Sequence, residues 1–201
     1  MLVVVGLQLS SPRQVVPPWW PLLVAVELAL LAPLVIMNPV RLTRDHPMSR
    51  LIAVVMTIVL LAANAVWVVQ LVLTMLTEPS VPGQRLITSA ALIWVTNVVA
   101  SSIAYWELDR GGPFARDPRH PRRERRPDLM FPQMQAAPGW DAQTWRPSFL
   151  DYLFVAFTSA TAFSPTDTLP LSARAKVLMM LTAAVSLATI AIVGARAVNA
   201  L

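Results

Sequence analysis

Apolar residues gather into four long runs, Trp19–Met37, Leu51–Leu76, Leu86–Trp106 and Val177–Ala195, separated by segments rich in Pro, Arg and other polar residues. Each run meets the length of about 20 apolar residues that a helix needs to cross a hydrocarbon core. A shorter apolar stretch, Phe149–Phe163, precedes the last run and leads into Ser164-Pro165-Thr166-Asp167-Thr168. About fifteen residues are too few for a crossing, so the pattern predicts a half-helix that enters the bilayer and turns back. Non-helical backbone at that depth survives only where protein buries it or water fills a cavity, which makes re-entrant segments common pathway linings. The expected fold is all-α: a polytopic membrane protein with four transmembrane helices and a re-entrant half-helix before the last. The chain divides into a three-helix region over 1–106, a polar Arg/Pro-rich loop over 107–148 and the half-helix plus last helix over 149–201. Were Phe149–Phe163 to cross, the count would become five spans.

The edges of these runs carry the usual boundary chemistry. Trp19 and Trp20 open the first and Tyr105-Trp106 closes the third, both as interfacial aromatic pairs. Pro33 kinks or loosens the first helix, and Asn38-Pro39 ends it. Thr77–Gly83 is a short turn that sets the second and third spans antiparallel. In the long loop, Gly111-Gly112-Pro113 and the Arg119–Arg126 run read as solvated. Leu129, Met130, Phe131, Met134, Trp140 and Trp145 instead predict an ordered cap on the membrane surface.

Charge orients the chain. The loop 38–50 holds three Arg and the loop 107–148 eight; with Arg174 and Lys176 they make thirteen of the sixteen basic residues. The positive-inside rule then places both loops in the cytoplasm and both termini outside. The Arg119–Arg126 run suits anionic lipid, and the sequence pI near 11.0 reflects this topology rather than nucleic-acid binding. The Arg-, Ala-, Val- and Pro-rich composition is that of a GC-rich bacterial genome, hence a bacterial plasma membrane. The apolar N-terminus lacks the basic flank and cleavage site of a removable signal peptide. Cysteine is absent, and His46 and His120 stand alone in polar loops, so neither a metal site nor a cofactor is expected.

Three polar residues lie near the middle of their spans: Glu27, Asn64 and Asn97. Counting from the shared turn puts Asn64 and Asn97 at matching depth, where their amides can bond and join the helix pair. Glu27 is either a cation or proton site or a protonated structural hydrogen-bonding group. In the last span, Ala184, Ala188, Ala191 and Ala195 form a small-residue seam, while Thr182, Ser186 and Thr189 lie on another face. Those hydroxyls either line a wet pathway or bond back to their own helix carbonyls. Asp151 suits the positive end of the half-helix as a cap. Asp167 either holds the hairpin turn or presents a carboxylate at a pore mouth. No nucleophile–base pattern or paired carboxylates within a span point to an enzyme.

The stretch Tyr152–Lys176, YLFVAFTSATAFSPTDTLPLSARAK, resembles the pore loop of the potassium-channel superfamily. Aligned on Asp167 and Pro170, Phe154 and Phe157 fall at pore-helix aromatics. Thr161 falls at a filter-base threonine, and Arg174 and Lys176 at the start of the inner helix. The family's glycine-bearing filter is replaced by Ala162-Phe163-Ser164-Pro165-Thr166, and stacked carbonyl rings need the backbone freedom that only glycine supplies cheaply. A potassium-type filter is therefore not expected. The C-terminal half also resembles an uncharacterised family of bacterial, notably actinobacterial, integral membrane proteins, through Trp106–Pro113, Phe131–Met134 and the closing aromatic and Ser-x-x-Asp pattern. The resemblance implies a pore-loop-like protein that passes an ion or small solute. Thr161, Ser164, Thr166 and Asp167 would stand at the constriction, in a homo-oligomer or a larger membrane complex. The alternative is a non-conducting scaffold or accessory subunit.

Overall fold

The computed structural model describes residues 47–78, 81–116, 126–135, 145–161 and 167–198, together with the isolated helical positions Pro21, Ala25 and Ala29. The first predicted span, with Glu27, otherwise lies outside the described residues, as do Ser164, Thr166 and Arg119–Arg125.

Four helices organise the rest: α1 (Pro47–Thr77), α2 (Gly83–Leu108), α3 (Phe149–Thr161) and α4 (Ala173–Val198). Pro47 opens α1, where its missing N–H costs nothing, and the interior of α1 is free of Gly and Pro. Three stretches, Arg50–Thr77, Gly83–Gly111 and Ala173–Ala195, are long and apolar enough to cross a bilayer, the make-up of a membrane-embedded protein. At 13 residues, α3 is only about 20 Å long.

α2 is the central element and packs on α1, α3 and α4. α1 and α2 form an antiparallel hairpin, and toward its turn Trp67, Leu71, Val81, Leu86, Ile93 and, from α4, Ile192 make an apolar cluster. At the opposite end, Val98, Tyr105, Leu129, Phe131, Tyr152, Val155 and Ala175 form a second cluster. Of the residues expected in the cap, Leu129 and Phe131 are buried in it, Met134 and Trp145 pack against it, and Trp145 stands 5.6 Å from Phe131 between ring centroids, while Trp140 lies outside the described residues.

A two-residue antiparallel ladder joins β1 (Leu129–Met130) to β2 (Leu169–Pro170), with Leu129 opposite Pro170 and Met130 opposite Leu169. This ladder is a small departure from the all-α expectation. Pro170 has no N–H to donate, so it fits such a ladder only at its edge.

The two stripes of α4 take different places in the bundle. On α4, the buried stripe is Thr182, Ser186 and Thr189 rather than the alanines. Ala184, Ala191 and Ala195 are exposed and Ala188 half-buried. The hydroxyl face wins because α2 offers it Asn97, Ser101 and Tyr105 as partners, while alanine gains no such bonds.

Candidate functional site

Two polar assemblies lie along α2. The first is at the middle of the bundle. Asn64 Nδ2 donates to Asn97 Oδ1 at 3.3 Å, so the two amides do meet across the helix pair. Asn97 Nδ2 in turn donates to the Thr182 carbonyl at 2.9 Å and to Ser186 Oγ at 2.8 Å. One amide therefore joins α1, α2 and α4. Two turns on from Asn97, Tyr105 donates its hydroxyl to Thr182 Oγ1 at 3.0 Å, and Ser101 Oγ lies 2.9 Å from the same atom. Thr182 and Thr189 also donate back to the Leu178 and Val185 carbonyls. Of the two readings of these hydroxyls, the geometry shows back-bonding and interhelical bonding.

The second assembly is a clasp at the end of α2. Helix α2 closes with Arg110, Gly111 and Gly112 at φ of 52°, 85° and 95°. A Cβ on Gly112 would sit 3.3 Å from Glu107 Oε2, besides requiring the left-handed backbone that glycine takes without strain. The sharp exit turns the chain back over Asp109, which is fully buried. Its Oδ1 accepts the backbone N–H groups of Asp128 (2.8 Å) and Leu129 (3.3 Å), and its Oδ2 accepts the Tyr152 hydroxyl at 2.7 Å. Arg116 Nη1 lies 4.0 Å from that carboxylate and donates to the carbonyls of Trp106 (2.8 Å) and Asp109 (2.7 Å), capping the end of α2. Its guanidinium stands 5.1 Å from the centre of the Tyr152 ring. Burial pushes Arg116 below its ordinary value, and the Tyr152, Asp109 and Glu107 oxygens offset part of that.

Asp128 is the second carboxylate of the clasp. Arg174, the second residue of α4, grips it with both arms of its guanidinium at 2.9 and 3.0 Å. The Arg110 N–H donates to Oδ2 at 3.1 Å, and the Asp128 carbonyl accepts from Leu171 N at 2.8 Å. Burial alone would raise this carboxyl. Hydrogen bonds from Arg174 and Ser172 and the charge of Arg174 outweigh it and hold Asp128 below its ordinary range.

Helix α3 hangs from this clasp. Ser148 and Asp151 cap its start: the Ser148 N–H and hydroxyl both donate to Asp151 Oδ2 at 2.7 Å. The helix then runs antiparallel to α2, Phe149 against Trp106 (6.0 Å between ring centroids) and Phe157 against Trp94 (5.7 Å). Near its end, Trp94 Nε1 donates to the Ala160 carbonyl at 3.4 Å. Trp94 is close to the middle of α2, so the tip of α3 lies near mid-bundle.

Of the constriction residues read from the sequence, Thr161 closes α3 and donates to the Thr158 carbonyl at 3.0 Å. Asp167 is exposed and forms no side-chain hydrogen bond with the described residues. Ser164, Thr166 and Glu27 lie outside the described residues. Sequence reasoning did not single out Asp109, Arg116, Asp128 and Tyr152 as a unit. One signal was available: the chain has only two tyrosines, and a buried phenol in an apolar chain requires an acceptor. Both tyrosines prove to be the donors of these two networks.

Comparison with protein-family models, with curated proteins and with solved structures gives no match.

Proposed function

We propose that this chain is a pore-loop-like membrane protein that passes an ion or small solute without a potassium-type filter. One observation carries the reading: both ends of the segment 149–171 are fastened to the same clasp, while its helix reaches only to mid-bundle. Tyr152 holds Asp109 at the start, and Leu171 and Arg174 hold Asp128 at the end. A segment that leaves and returns on one side of a bilayer is re-entrant. The eight steps from Thr161 to Leu169 have a reach of at most about 29 Å, enough to return from mid-depth. They include Ser164, Thr166, Asp167 and Thr168. Polar backbone at that depth faces water or protein, not lipid. Around a symmetry axis, Asp167 would form a carboxylate ring that selects cations.

The basic end is read as cytoplasmic in a bacterial plasma membrane. Arg110, Arg116, Arg126 and Arg174 lie at the clasp end, and the composition of the Arg119–Arg126 run suits anionic headgroups.

The test is cation flux into liposomes containing the purified protein, wild type against Asp167→Asn. Conduction predicts a flux whose cation preference changes in the variant while assembly is retained. Equal permeability in both removes Asp167 from the mechanism. A second reading, a non-conducting scaffold or accessory subunit, is favoured by the mid-bundle network: Asn97, Ser186 and Thr182 are consumed by one another instead of facing a pathway. Silence from folded, oligomeric protein puts that reading first. Bulky substitutions at Ala188 and Ala191 should then release a co-purifying partner.

A further inference from the structure

Between the α1–α2 turn and the Asn64–Asn97 pair, the helix interface carries polar atoms that neither assembly uses. At the turn end, an open groove of about 370 Å³ is lined in part by Gln70, Thr74, Thr77 and Glu78. Deeper in, three buried atoms have no hydrogen-bond partner among the described residues: Ser89 Oγ, Trp67 Nε1 and Asn64 Oδ1. The residues that carry them are 2 %, 4 % and 2 % exposed.

The orientation of Asn64 follows from its neighbours. The Thr182 carbonyl can only accept, so Asn97 must turn its Nδ2 toward it and its Oδ1 toward α1. That oxygen needs a donor, which fixes Asn64 Nδ2 against it and aims Asn64 Oδ1 away. Trp67 lies seven residues before Thr74, on the same face of α1, and long helical side chains lean toward the helix N-terminus, here toward Asn64. With Asn64 opposite Asn97, Ser89 falls level with position 72, between Thr74 and Trp67. The unpaired atoms are thus spaced from the groove to the middle of the bundle. A single orphan is tolerable; three along one seam call for a ligand that meets them. Past Glu78 and Arg85 at the mouth, both helices are uncharged as far as Asn64 and Asn97, so the ligand is neutral. It must also both donate and accept, since it faces an amide oxygen, an indole N–H and a hydroxyl.

We infer that this seam is a water-filled vestibule, open at the α1–α2 turn and closed at mid-bundle by the Asn64–Asn97–Ser186 junction. It goes beyond the pore-loop reading and is independent of it, because α3 takes no part. A buried water needs two to four polar partners, and here the orphaned atoms and neighbouring waters provide them.

Hydrogen–deuterium exchange of the indole N–H groups in the full-length protein, in lipid nanodiscs, tests this directly. Trp67 and Trp94 lie at about the same depth by the Asn64–Asn97 register, and their resonances are assigned by Trp67→Phe and Trp94→Phe. Trp67 is the more buried, yet its N–H should exchange faster than that of Trp94 by roughly tenfold or more and show a cross-peak to water. Ser89→Leu, placed between mouth and indole, should slow Trp67 alone. Exchange at Trp67 as slow as at Trp94 overturns the vestibule. So does fast exchange that Ser89→Leu leaves unchanged, since the N–H would then open by local unfolding.

Discussion

Asp109 and Asn97 each hold several elements at once, and their removal should cost accordingly. Asp109→Ala leaves two backbone N–H groups and the Tyr152 hydroxyl without their acceptor. It is expected to cost about 3–5 kcal/mol, the range for breaking a buried charged interaction. Tyr152→Phe, which deletes one donor to that carboxylate, should cost less, about 1.5–3 kcal/mol. Thermal unfolding in detergent checks the order, and an Asp109 variant as mild as Tyr152→Phe would contradict this account of the clasp. At mid-bundle, Asn97→Leu should destabilise more than Asn64→Leu, since interhelical bonds contribute roughly 0.6–2 kcal/mol each and Asn97 makes the greater number. Asp128 gives a pH signature. Its folded-state value is depressed, so the folded protein binds that proton less readily than the unfolded chain. The stabilisation is full at neutral pH, begins to fall below the ordinary carboxylate value of 3.8, and is gone below the depressed one. Arg174→Gln should flatten this part of an acid denaturation curve. The Asn64–Asn97 bond was legible in the sequence because a short turn fixes the register of two antiparallel helices. The clasp was not: Asp109 and Tyr152 are 43 residues apart, and no local period links them.

Single helices were the most legible level of this chain. The runs Leu51–Leu76, Leu86–Trp106 and Val177–Ala195 fall inside α1, α2 and α4, because apolar length is itself the signal for a bilayer-crossing helix. The cap of α3 was read from Asp151 alone; that Ser148 completes it shows in the geometry. Asp151→Ala should cost about 1 kcal/mol and fray the first turn of α3. The exit of α2 was less legible. Gly111-Gly112-Pro113 reads as a flexible, solvated stretch, yet the chain there is folded tightly back on Glu107 and Asp109 and both glycines are buried. Gly112→Ala should therefore destabilise by about 1–3 kcal/mol, as forcing a side chain into a left-handed conformation does. A linker would tolerate it, and thermal unfolding tells the two apart. Which face of α4 packs inward was not legible for a related reason. Small size is visible along a helix, whereas the partners that make hydroxyls preferable sit on another helix.

For the whole molecule, topology is the property to measure. The chain is naturally free of cysteine, so a single cysteine at Arg119 or at Ser80 can be labelled from either side without background. Labelling of Arg119→Cys only from the cytoplasmic side, and of Ser80→Cys only from outside, is the expected outcome; the reverse pattern would invert the orientation. The clasp also has a consequence in time. A ribosome that has just released the end of α2 has already made Asp109, but Asp128 follows 19 residues later and Tyr152 a further 24. At roughly 5–20 residues per second, the carboxylate waits some seconds for its last donor. Until then α2 ends in an open turn with a solvated acid. Closure requires Leu129, Tyr152 and finally Arg174, in that order of synthesis. The third apolar segment is thus completed by what is translated after it, and a chain that stalls before α3 carries an exposed acid as the mark of its immaturity.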